Sequence, residues 1–203
     1  MKKIFALLIA VVLLFSGCSS GITRDEIEDT VWDFTEALKV YDRDEMSGYL
    51  TQFPDNSPYI YIDDIFNDAE YIALYQTLFS DITYKIKSVE KNHAVVEYTI
   101  PDVQKLFATT SAHVLSLTLS NEMLAQKLAE NEMTGINFIR ELMRMYANTG
   151  DNVEIMTKEF TLTFQQEAGK TVIVCDDSLR ALITGNFFLS KSITKESIEN
   201  SAD

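Results

Sequence analysis

The chain has 203 residues, 31 acidic and 17 basic, for a net charge of −14. The length fits one domain, and 46% apolar content is enough to build a core. The acidity argues against nucleic acid, which needs clustered Lys and Arg, and two cysteines with two histidines make neither a disulfide framework nor a four-cysteine zinc site.

Lys2 and Lys3 precede an unbroken apolar run from Ile4 to Phe15. Twelve residues are too few to span a bilayer, which takes about 20, and suit the h-region of a signal peptide. The run ends in Leu14-Phe15-Ser16-Gly17-Cys18-Ser19-Ser20. This resembles the bacterial lipobox cut by signal peptidase II, with Phe15 where the pattern usually has Leu. The resemblance implies removal of residues 1–17 and a diacylglycerol on the sulfur of Cys18, which anchors the chain at the extracytoplasmic face of the cell membrane. The alternative is a secreted chain with a free Cys18. The mature chain would have 186 residues and a net charge of −16. Residues 18–22 are then a tether, of which residues 19–22 reach under about 20 Å. Cys175 would be the remaining cysteine, expected as a buried apolar residue.

Residues 23–190 read as the domain and 191–203 as a polar tail. Thr23 and Glu26 make a capping box for a helix over 24–41, with Ile27, Val31, Phe34, Leu38 and Tyr41 at helical spacing and Trp32 widening the stripe. A short helix over 43–50 follows, capped by Asp42. Pro54 and Pro58 mark a loop over 52–58, and 59–62 is ambiguous. A third helix over 68–78 carries Tyr71, Leu74, Tyr75 and Leu78. Ile82, Tyr84, Ile86 and, after a slip, Val89 predict a strand, and 94–100 a second, with a turn at 91–93.

Apolar residues from Val103 to Leu128 alternate in steps of three and four, a helical seam with polar breaks at Thr110 and Asn121. Leu115, Leu117 and Leu119 alternate as a strand would, so 111–119 is open between the two. Gly135 marks a turn before a helix over 136–146. Strands over 153–166 and 171–175 flank a hairpin turn at 167–170. Asp176 begins a helix over 179–184 that ends at Gly185, and 186–189 reads as a last strand or packing segment. No internal repeat is visible.

The layout resembles the NTF2-like (cystatin-like) α+β family, seen in many small bacterial lipoproteins. The resemblance is carried by the segments Val31–Leu50, Tyr84–Tyr98 and Phe160–Asn186. It implies a curved antiparallel sheet with helices on its concave face, here with a helical insertion at about 103–148. Family members include binding modules and also isomerases and dehydratases that place an Asp with a His or Tyr in the concavity, so fold alone does not choose.

The chemical candidates are few. His93 reads as a turn residue and His113 lies off the helical seam; neither has a metal-spaced partner. Asp63-Asp64 and Asp176-Asp177 are adjacent pairs whose side chains diverge. No metal or cofactor is expected. Trp32, Phe34, Tyr41, Tyr71 and Tyr75 either line a pocket or form ordinary core. Met123, Met133, Met143 and Met145 either form a partner surface or fill space. Net charge is −11 over residues 23–101 and −1 over 102–149, so the insertion is nearly neutral on an acidic body. Together these features predict a lipid-anchored, non-catalytic binding or accessory module for an envelope protein or small ligand. The alternatives are a proton-transfer enzyme in the concavity and a purely structural lipoprotein.

Overall fold

The computed structural model describes residues 21–51, 69–129 and 132–187. It is an α+β fold: an antiparallel sheet of four strands and, among the described residues, seven helices. The chain order is α1 (Arg24–Val40), α2 (Arg43–Ser47), α3 (Ala69–Phe79), β1 (Thr83–Glu90) and β2 (His93–Pro101). Three helices follow, α4 (Val103–Ser120), α5 (Glu122–Ala129) and α6 (Glu132–Thr149). The chain then returns through β3 (Ile155–Glu167), β4 (Lys170–Ile173) and α7 (Asp177–Ile183). Cys18, Pro54, Pro58, Asp63, Asp64, residues 59–62 and the tail from 188 onward lie outside the described residues.

α1 begins at the expected capping box: the Glu26 amide donates to the Thr23 hydroxyl and the Glu26 carboxylate accepts from the Thr23 amide at 2.7 Å. It ends at Tyr41, whose left-handed backbone lets its amide and that of Asp42 reach the last carbonyls. α2 is shorter than the sequence suggests, stopping at Ser47, because Leu50 leaves to bridge Ile173 at the β4 edge.

The sheet order is β1-β2-β3-β4. The slip foreseen near Val89 is a bulge: the β1–β2 register shifts between Ile86 and Ser88. Ala94, Val96, Tyr98 and Ile100 of β2, with Phe160, Leu162 and Phe164 of β3, point to the buried face. α1, α3 and α7 cover that face. The other face is polar, with Lys87 between Glu97 and Glu159 at 3.0 and 3.9 Å.

Residues 111–119 are helical, within α4. Asn121 does break the seam: its backbone is extended, and its side chain caps α5 by accepting from the Leu124 amide. Thr110 does not. It is fully buried, and its hydroxyl is satisfied by the Leu106 carbonyl at 2.7 Å. Gly135 is not a turn either; it lies inside α6, which starts at Glu132. A lone glycine is tolerated in a helix whose later turns, Met143 and Tyr146, are held by packing. The expected strand at 186–189 is not formed at its described residues: Asn186 is a left-handed turn residue and Phe187 packs as a plug against Phe107.

Candidate functional surface

The aromatic candidates divide by position. Phe34, Tyr41 and Tyr75 are core, each no more than 1% exposed. Tyr41, Tyr75 and Phe79 stack together at 4.8 to 5.6 Å. The Tyr41 hydroxyl donates to the Ile183 carbonyl at 2.8 Å, and the Tyr75 hydroxyl to the Thr184 carbonyl at 3.1 Å. Tyr98 shares a 2.8 Å hydrogen bond with Thr35. Burial pushes all three phenols well above their ordinary value, so each stays protonated and engaged near neutral pH. These rings fill the space between the sheet and its helices. Tyr71 sits at the margin, with the Arg140 guanidinium 5.2 Å over its ring and Arg140 ion-paired to Glu70.

Trp32 corrects the sequence expectation: it is 57% exposed and lines no interior. One residue past the buried Val31, it is turned about 100° away from the apolar stripe.

His93 opens β2 at the surface. His113 is held by Nδ1 against the Tyr146 hydroxyl, bracing α4 to α6. Asp176 caps α7, accepting from the Leu179 amide at 3.0 Å. Cys175 is buried, and burial raises its thiol above the ordinary value, which suits an inert position. Among the described residues, no group of three or more His, Cys, Asp or Glu is placed to hold a metal ion.

Hollows open to solvent are found among the described residues. One, of about 430 Å³, lies between the first turns of α1 and the β3–β4 hairpin, lined by Glu26, Asp29, Asp33, Tyr49 and Lys170 among others. Another, of about 300 Å³, lies along α6 beside Glu141 and Met145.

The helical excursion offers a different surface. Its buried positions thin out along the chain. Val103, Leu106, Thr110 and Val114 are buried in α4, none in α5, and burial returns at Met143 and Tyr146 in α6. The end of α4, α5 and their junction therefore project from the body as a finger. Met143 fills space and is no partner surface: it is 3% exposed and belongs to the core, since it lies three residues before buried Tyr146 on the inward face. Met145 is 49% and Met123 72% exposed. Met133 lies in α6, but its side chain is outside the described residues.

Leu115 and Leu119 are 60% and 81% exposed on α4. With the exposed Ala108 and Ala112 they share one helix face, at spacings of four, three and four. Leu106–Asn121 is a run of sixteen residues without Asp, Glu, Lys or Arg, the longest after residue 23 in a chain that is 24% charged. Apart from Lys105, α4 carries no charge, and it leaves Leu115 and Leu119 in solvent. The apolar period in the sequence marked the helix, but which face the body covers depends on α6.

The finger and the start of α1 lie at opposite ends of the sheet. The Thr30 hydroxyl reaches the Thr171 carbonyl at 3.4 Å, so the start of α1 sits by the β3–β4 hairpin. The excursion leaves at the other end, where Pro101 pairs with Ile155 and Lys105 meets Glu154 at 2.5 Å. The 13 residues of β3 between them span about 40 Å. No family model matches this chain, and neither the curated proteins nor the solved structures yield a significant match.

Proposed function

We propose that this is a lipid-anchored extracytoplasmic protein whose NTF2-like domain acts as a non-catalytic binding or accessory module, with the helical insertion as its contact surface. The observation that carries the reading is the exposed, charge-free face of α4, on a finger remote from the start of α1. An exposed apolar face of this kind marks a site of interaction. The lipobox supports the anchor, and the order of helices and antiparallel strands supports the family. Proton-transfer chemistry inside the fold is disfavoured by Tyr41, Tyr75 and Tyr98, whose hydroxyls are all committed to hydrogen bonds in a packed interior.

A photoreactive residue at Leu119, compared with one at Glu159 on the open sheet face, tests the contact surface in intact cells. Adducts should form from position 119 and not from position 159. Equal yields, or none from 119, would remove the insertion as the interface.

A further inference from the structure

The α4 face has a graded shape. Ala108 and Ala112 are small, and Leu115 and Leu119 are large. An identical face turned antiparallel is its complement, because each leucine then meets an alanine. Turned parallel, large would meet large and leave the small end gapped. We propose that a second copy of this chain covers the face, in a two-fold antiparallel helix pair with Ala108 against Leu119 and Ala112 against Leu115; this rests on reading the insertion as the contact surface.

Charge points the same way. The whole chain carries −14, so two copies repel over most of their surfaces. The sixteen uncharged residues from Leu106 to Asn121 are where that repulsion is least. A partner recognised through charge would find nothing on this face to pair with. A bilayer is a poor occupant as well. Interfacial helices carry Lys or Arg beside the apolar face, this run carries neither, and it begins about 40 Å along β3 from the hairpin beside the start of α1.

The contact is small. Ala108 to Leu119 is about 16 Å of helix, far below the roughly 800 Å² per partner of a stable interface. The pair is therefore weak in dilute solution and favoured where anchors concentrate copies on one membrane.

The test uses the full-length chain in cell membranes. Ala108→Cys and Leu119→Cys are placed on separately tagged, co-expressed copies, with the unsubstituted chain as control for Cys18 and Cys175. A short thiol cross-linker should give a mixed-tag band of doubled mass. Either variant alone should give none, because like positions lie about 16 Å apart along the pair. Adding Leu115→Glu to both copies should abolish the band. Absence of the mixed band in folded, membrane-bound copies overturns the proposal. Photo-adducts from position 119 separate this failure from failure of the contact surface. Mapped to the Ala108 region of a second copy, they support the pair. On a different protein, they overturn the pair and leave the contact surface standing. On residues 188–203 of the same chain, or absent, they overturn both.

Discussion

Gly185 is the residue on which the helical excursion is hinged to the body. Its φ is +59°, and its carbonyl accepts from the Val103 amide at 3.0 Å, the first residue of α4. A Cβ there would lie 2.3 Å from Val103 Cγ2 and 2.9 Å from the Pro101 carbonyl oxygen. Gly185→Ala combines left-handed strain with a backbone clash and should destabilise the protein by about 2–4 kcal/mol in denaturant unfolding. The buried phenols make a second prediction at this scale. Tyr41, Tyr75 and Tyr98 have folded values raised above the ordinary one, so the folded state holds their protons longer than the unfolded state. Their contribution is fully present below about pH 10 and falls as pH rises beyond it. Alkaline titration should show these three phenols ionising together with unfolding, read by tyrosinate absorbance against circular dichroism. Early ionisation without unfolding would contradict the packed interior.

At the scale of elements, α4 has two faces with opposite mechanical roles. Leu106 is 1% exposed and sits in the main core. Leu106→Ala should cost about 2–5 kcal/mol through lost burial and a residual cavity. Leu119 is 81% exposed, and Leu119→Glu should change stability by no more than about 0.5 kcal/mol. Thermal melts of the two variants separate a structural helix from one that also presents a surface. The edge strands make a related contrast. Among the described residues β1 is an edge strand, and it carries Lys85, Lys87 and a bulge, devices that discourage pairing with another strand. Element types were largely legible because their periods differ: α1 and β3 each show one unmixed period. The misread feature, Gly135, is a place where the helix continues through a residue of low helical preference, and at 186–187 the packing reading held over the strand. The finger was visible as a run of helical spacing, but its exposed face was not, since Leu115, Leu117 and Leu119 also alternate as a strand would.

At the scale of the whole molecule, the start of α1 and the proposed contact surface sit at opposite ends of one sheet. On the proposal that Cys18 is anchored, a tether of a few residues would keep the acidic body beside the bilayer and the near-neutral finger away from it. Cys18→Ala should shift the protein from the membrane to the soluble fraction, measured by fractionation and blotting. Retention in membranes would show that lipidation is not what holds it. The anionic body, with −11 over residues 23–101, also resists lying on anionic lipid.

Length, composition and charge, read alone, set the expectations: a length that fits one domain, too few cysteines for a disulfide framework, and an acidity that argues against nucleic acid. They also placed most helices and strands, because hydrophobic period and caps are local properties of the chain. Only the tertiary structure decided which apolar residues are covered. Trp32 and Leu119 are as apolar as Phe34 and Leu106, yet the first two are exposed and the last two buried. Burial depends on what the other elements bring to each face, and that is fixed by the register of β2 on β3 and by the docking of α4 on α6. The opening charge of −14 gains its meaning in the same way. Its uneven spread along the chain is visible in the sequence, but that the uncharged run presents Leu115 and Leu119 to solvent emerges only when the chain is folded.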